Sequence, residues 1–121
     1  MQIEKEINKR IITIYVLELE GGNYYVGQTT NLKRRLEEHL EGRRASHWTK
    51  LHKIVKLIES TDLRSVNSKN ALVEENEVAL KYMSIYGWKK VRGGCYNLID
   101  EGVTYKTLLK RKKKDRINFD L

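Results

Sequence analysis

Two strand-like runs separated by a short turn constrain this chain more than any other feature. Ile11-Ile12-Thr13-Ile14-Tyr15-Val16-Leu17 is rich in β-branched residues, and Tyr24-Tyr25-Val26-Gly27 resumes the pattern after Gly21-Gly22-Asn23. β-branched and aromatic side chains suit a pleated surface. Glycine and asparagine accept the backbone angles of a tight reversal, so the runs predict a β-hairpin. A lone hairpin is barely stable in water, so the remaining chain must cover it. Thr30 or Asn31 can cap a helix running to about Leu40, with Gly42 as its stop. Lys53–Ser60 reads as a third strand, and Asn70–Tyr86 as the longest helix, ended by Gly87. A shorter helix is expected near Thr104–Lys112. This order predicts an α+β fold, a small three-stranded, mostly antiparallel sheet flanked by helices. The 121 residues contain no proline and no low-complexity linker. One domain over 1–121 is therefore expected, with a core of about 11–97 and a loose basic helix and tail over about 104–121.

Charge narrows the partners. There are 24 Lys and Arg against 16 Asp and Glu, a formal net charge of +8. That surplus favours polyanions, nucleic acid before an anionic membrane. No apolar run approaches the ~20 residues needed to span a bilayer, and no signal-like N-terminus is present. The single cysteine, Cys95, excludes an internal disulfide framework and a Cys-ligated zinc site. Its expected role is a small buried packing residue. An intracellular location is expected, cytoplasmic or nuclear according to the host.

Two helices carry polar residues where apolar ones belong. At 100° per residue, Leu72, Ala79, Met83, Tyr86, Tyr82, Ala71, Val78 and Ile85 share one broad arc of the long helix. Glu74, Glu77, Lys81 and Ser84 take the opposite side, whereas Glu75 falls near the middle of the apolar arc. An inward carboxylate is unfavourable unless it is paired, hydrogen-bonded or metal-bound. In the first helix Leu32, Leu36 and Leu40 form a seam facing the sheet, with Arg35 and His39 along its flank. A guanidinium fork beside an imidazole suits a phosphate. The plainer alternative pairs Arg35 with Glu38 or Glu75 and packs His39 at the boundary. Tyr15 and Tyr25 fall where hairpin pairing can bring them together.

The segments Thr13-Ile14-Tyr15 and Tyr25-Val26-Gly27 resemble the paired signature of the GIY-YIG nucleases. Thr13 stands where the first motif usually has glycine. Further matches are the helix start Asn31-Leu32-Lys33-Arg34-Arg35, then His39, then Ala71-Leu72-Val73-Glu74-Glu75-Asn76. Tyr82–Gly87 and Val91–Tyr96 resemble a subset of small stand-alone members that includes viral and phage-like ones. The resemblance covers roughly residues 11–97. It implies a DNA endonuclease with Tyr15, Tyr25, Arg35, His39 and Glu75 as catalytic residues. It also implies that Glu75 holds one Mg²⁺ or Mn²⁺, and that Arg35 clamps the non-bridging oxygens. Tyr15 is the family's usual general base and His39 the competing one, a choice the sequence leaves open. A base role for Tyr15 calls for a depressed pKa. Asn97 corresponds loosely to an asparagine that often follows the glutamate helix.

Cations elsewhere provide a backbone-contacting surface. Arg43, Arg44, Lys50, Lys89, Lys90, Arg92, Lys112 and Lys113 are the expected nucleic-acid contacts. Trp48 can either stack on an unpaired base or anchor the core. DNA is the expected partner, with no membrane and no obligate protein partner evident. The rival readings are a non-catalytic nucleic-acid-binding module that keeps the fold and a basic RNA-associated protein.

Overall fold

A computed structural model of the chain describes residues 11–64 and 67–121; the remainder of the expected 1–121 domain lies outside the described residues. The hairpin forms as read: β1 (Ile12–Leu19) pairs antiparallel with β2 (Asn23–Thr29) across a single helical turn over Glu20–Gly22. α1 (Leu32–Glu41) is capped by Asn31, whose side chain accepts from the Arg34 N–H at 3.1 Å. Gly42, in the left-handed region at φ 77°, ends it. A one-and-a-half-turn helix α2 (His47–Leu51), unforeseen in the sequence, follows under a Ser46 cap. The third strand, β3 (Ile54–Leu63), runs past Ser60 because Thr61, Asp62 and Leu63 continue the ladder with Ile14, Thr13 and Ile12. Thr13 donates to the Asp62 carboxylate at 2.7 Å. The residue standing in place of the motif's usual glycine thus ties down the neighbouring strand.

The long helix, α3 (Ser68–Tyr86), leads through a helical turn into β4 (Val91–Gly93), and α4 (Glu101–Arg111) closes the chain. β4 makes the sheet four-stranded, in the order β3-β1-β2-β4, with the β2–β4 pair parallel. Gly93 has φ 151°, and a Cβ there would run into the Val26 carbonyl oxygen, so glycine allows the close approach.

Helices cover both faces of this sheet, which explains the nearly continuous apolar run of β1. On one face Tyr15, Leu17, Leu19 and Tyr25 pack with Trp48, Leu32 and Leu36. On the other, Ile14, Val16 and Val26 pack with Ala79, Tyr82 and Met83 of α3, and with Val91, Leu108 and Ile117. The C-terminal segment is not a loose arm, since Leu108 and Ile117 are core residues. Apolar assignments on two helices change. Leu40 is exposed while His39 takes the inward place, and Leu72, Ile85 and Tyr86 are likewise exposed. The seam is therefore narrower than its spacing suggested. Cys95 is exposed rather than buried, because the turn carrying it presents Tyr96 to the core instead.

Candidate active site

Tyr15 and Tyr25 point to the same face of the hairpin because Tyr15 pairs with Gly27 and Leu17 with Tyr25. Their ring centroids lie 6.3 Å apart. Gly27 makes the room: a Cβ there would sit 2.5 Å from the Tyr15 hydroxyl oxygen and 2.9 Å from the Tyr25 ring. α1 crosses this face and places His39 edge-on against both tyrosines, with its centroid 5.8 Å from that of Tyr15 and 5.4 Å from that of Tyr25.

His39 Nε2 and the Tyr15 hydroxyl are 2.7 Å apart, and His39 Nδ1 lies 3.2 Å from Thr49 Oγ1. The network assigns the tautomer. Thr49 donates its hydroxyl proton to the Ser46 carbonyl at 3.1 Å. Its oxygen therefore accepts from Nδ1–H, and the bare Nε2 accepts from the Tyr15 O–H. Burial, aided by the nearby Arg35 charge, pushes the His39 pKa down to about 4, so the ring is neutral at neutral pH. Tyr15 moves the other way. Burial and then the neighbouring Tyr25 push its hydroxyl well above the usual tyrosine range, and Arg35 opposes this without winning. The depressed pKa expected of Tyr15 is thus absent here, and His39 titrates well below neutrality rather than near it. Burial and then Glu75 likewise raise Tyr25.

Arg35 is half-buried, and its Nη1 donates to Glu38 at 3.3 Å and to the Arg44 carbonyl at 2.8 Å. Of the two pairings the sequence allowed, the structure has Glu38. The guanidinium still lies near enough to both tyrosine hydroxyls to weigh on their ionisation. Glu75 is inward, as its place on the helix predicts, and only 7% exposed. It forms no salt bridge among the described residues. Burial raises its pKa to about 7, against the Gly94 N–H and then the Gln28 side chain, which favour the charged form. A buried carboxylate without a cationic partner is an unbalanced charge that a divalent ion would balance. Among the described residues no three His, Cys, Asp or Glu cluster around a common point. A cation here would therefore take one protein carboxylate and complete its shell from water and phosphate, a habit of Mg²⁺.

The surface cations divide. Arg43, Arg44 and Lys50 are exposed near the His39 end of α1, where His39, Thr49, Lys50 and Lys53 line a groove of about 360 Å³. Lys89, Lys90, Lys112 and Lys113 are exposed as well. Arg92 is not available to nucleic acid. It is fully buried, donates to the carbonyls of Leu98 (2.7 Å), Val91 (2.8 Å), Trp88 (3.0 Å) and Ile99 (3.3 Å), and lies 4.5 Å over the Trp48 ring. Trp48 is itself core, its indole N–H donating to the Tyr24 carbonyl at 2.9 Å. Asn97 is exposed, whereas Asn76, beside Glu75, is buried. Sequence reasoning passed over Asn76, whose place at the edge of the apolar arc gives no clear sign of its burial. Thr49 was missed for lack of any local signal, since only tertiary folding brings it to His39.

Fold and sequence pattern together define a small nuclease domain. The chain belongs to the GIY-YIG family: the pattern of the GIY-YIG catalytic domain matches residues 11–90. Membership implies endonuclease chemistry on nucleic acid in general terms. A UPF0213 protein of Syntrophus aciditrophicus is 34% identical over 71 residues, which cover 59% of this chain and 77% of that protein. UPF0213 proteins of two Streptococcus pneumoniae strains are 47% identical over 45 residues, which span 37% of this chain and 44% of theirs. No solved structure matches the chain significantly. No helix among the described residues is long and apolar enough to cross a membrane.

Proposed function

We propose that this protein is a DNA endonuclease that hydrolyses phosphodiester bonds with Tyr15, Tyr25, Arg35, His39 and Glu75 and a single divalent metal. The observation that carries the reading is the buried Tyr15–His39 hydrogen bond standing under the influence of both the Arg35 cation and the unpaired Glu75 carboxylate. Hydrolysis needs a proton acceptor for the attacking water, positive charge on the non-bridging oxygens, and help for the leaving oxygen. Tyr15 and His39 form one proton-handling unit: a proton leaving Tyr15 has the bare His39 Nε2 waiting at 2.7 Å. Thr49 keeps the ring in that tautomer. The shifts of both groups oppose that proton transfer in the resting site, so it would need positive charge brought to Tyr15 when substrate binds.

Arg35 brings its guanidinium to the mouth of this unit, where it would fork onto phosphate oxygens as charge develops. Tyr25, close to both rings, would orient the phosphate or the water. Glu75 would hold Mg²⁺ or Mn²⁺, which supplies Lewis-acid stabilisation of the leaving oxygen when bound. Exposed Arg43, Arg44 and Lys50 beside the groove extend the positive surface along a nucleic-acid backbone. The decisive experiment is plasmid cleavage with Mg²⁺, with Mn²⁺ and with EDTA, by the wild-type protein and by Glu75→Ala. Metal-dependent nicking or linearisation lost in Glu75→Ala is the expected result. Salt-sensitive binding with no cutting in either metal would favour the binding-module reading instead.

A further inference from the structure

The reaction scheme leaves unused a second buried polar cluster, which lies on the C-terminal side of Glu75. At its centre is Asp115, beyond the residues that match the family domain, with a side chain only 7% exposed. Arg111 donates to it twice, through Nε at 2.8 Å and Nη2 at 3.1 Å. The Tyr96 hydroxyl donates at 2.5 Å and the Asn76 amide at 3.1 Å. One carboxylate thus gathers α4, the segment after β4, and α3.

The cluster continues towards the active site. Asn76 turns its amide oxygen to the 93–96 turn, where it accepts from the Cys95 N–H at 3.3 Å. That turn is closed on itself by paired hydrogen bonds between Gly93 and Tyr96, at 3.0 and 2.9 Å. Gly94, at φ 56°, lies so close to α3 that a Cβ would sit 2.9 Å from Asn76 Cα. Gly94 thus lies against the backbone of α3 one residue from Glu75, near enough for its N–H to favour the charged carboxylate. A single run of contacts therefore joins Asp115 to Glu75, through Asn76 and Tyr96 and then through the turn they hold.

We propose that Asp115 is a positioning residue for Glu75: by clamping Asn76 and the 93–96 turn, it sets the Gly94 N–H against the carboxylate and so fixes where that carboxylate can hold a divalent cation. The proposal rests on the metal-holding reading of Glu75. A glutamate has several rotatable bonds, and an outer N–H that selects one arrangement removes that freedom before the ion arrives. Loss of such outer hydrogen bonds commonly weakens metal affinity by about 10–100-fold. Asp115 touches neither the ion nor the DNA in this scheme, so its effect passes entirely through the turn.

The test is an NMR titration of the full chain with Mn²⁺ alone, reading the concentration that half-broadens the Gly94 and Gln28 backbone amide signals. The same spectra report whether each variant is folded. In the wild type those two amides should broaden first, and Glu75→Ala should abolish the localised effect. Asp115→Ala should move the midpoint upward by about 10-fold or more. Asp115→Asn retains an oxygen for Tyr96 and Asn76 while losing the ion pair to Arg111, and should stay within about threefold of wild type. A residue serving stability alone would lower the melting temperature of Asp115→Ala and leave the midpoint unchanged, and that outcome overturns the proposal. Should Asp115→Ala fail to fold, Tyr96→Phe carries the test: it removes one hydroxyl and keeps the Arg111–Asp115 pair. An unchanged midpoint there is equally fatal. Wild-type protein without localised broadening, or Glu75→Ala that broadens normally, would sink the metal-holding reading itself and this proposal with it.

Discussion

Replacing Glu75 by glutamine should make the metal-free protein more stable, and by an amount that depends on pH. The side chain is 7% exposed, and burial raises its pKa from 4.5 to about 7 in the folded protein. In the unfolded chain the group titrates near its ordinary value, so between these two pKa values the folded state holds a proton that the unfolded state has lost. Stability then falls as pH rises. The penalty is absent below pH 4.5, grows up to about pH 7, and is complete above it. A shift of that size corresponds to about 3 kcal/mol. Glutamine has nearly the same shape, leaves no cavity and carries no charge. Urea unfolding in EDTA should therefore show Glu75→Gln more stable than wild type by about 2–3 kcal/mol near pH 8, and by under about 1 kcal/mol near pH 4. Adding Mn²⁺ should stabilise the wild type and not the variant. A variant that is less stable than wild type at both pH values, or a difference that ignores pH, would refute the reasoning. Either result would mean that the carboxylate is satisfied in the folded protein and needs no cation.

Two further substitutions separate fold from binding. Arg92→Ala removes donors to four carbonyls and the stack on Trp48, so it should destabilise the protein by about 3 kcal/mol or more in urea unfolding. The folded fraction should bind DNA with wild-type affinity; a stable variant with weakened binding would return Arg92 to the interface. The double substitution Lys112→Ala and Lys113→Ala should weaken DNA binding and reduce the slope of log affinity against log salt by roughly 2. Cleavage by the bound enzyme should stay unchanged, and an unaltered slope in fluorescence-anisotropy titrations would show that these lysines are merely solvated.

Much of the architecture was legible because it rests on local periodicity. The hairpin follows from β-branched runs around Gly21-Gly22-Asn23, and α1 from an Asn31 cap and a Gly42 stop. Glu75 betrayed itself through its place on the apolar arc of α3, and the structure keeps it inward. Its neighbour Asn76 falls just beyond the edge of that arc, so its burial shows only in the structure. What stayed hidden depends on partners remote in sequence. β4 has only three residues and ends in glycine, so nothing local marks it; it exists because β2 offers it a parallel partner. Arg92 looks like one more surface cation until four carbonyls and an indole close around it. Cys95 and Leu40 took the opposite course, because residues beside them, Tyr96 and His39, fill the inward places.

The sequence by itself determined which side chains are candidates for the site and the hairpin and helices that carry them, because residue type and spacing act over one or two turns of chain. Only the tertiary structure decided their protonation. His39 is held neutral by burial and the Arg35 charge, with a threonine on another helix fixing its tautomer. Tyr15 is held protonated by burial and Tyr25 against the pull of Arg35. Desolvation and charge act through space, and they exist only once distant segments have packed together.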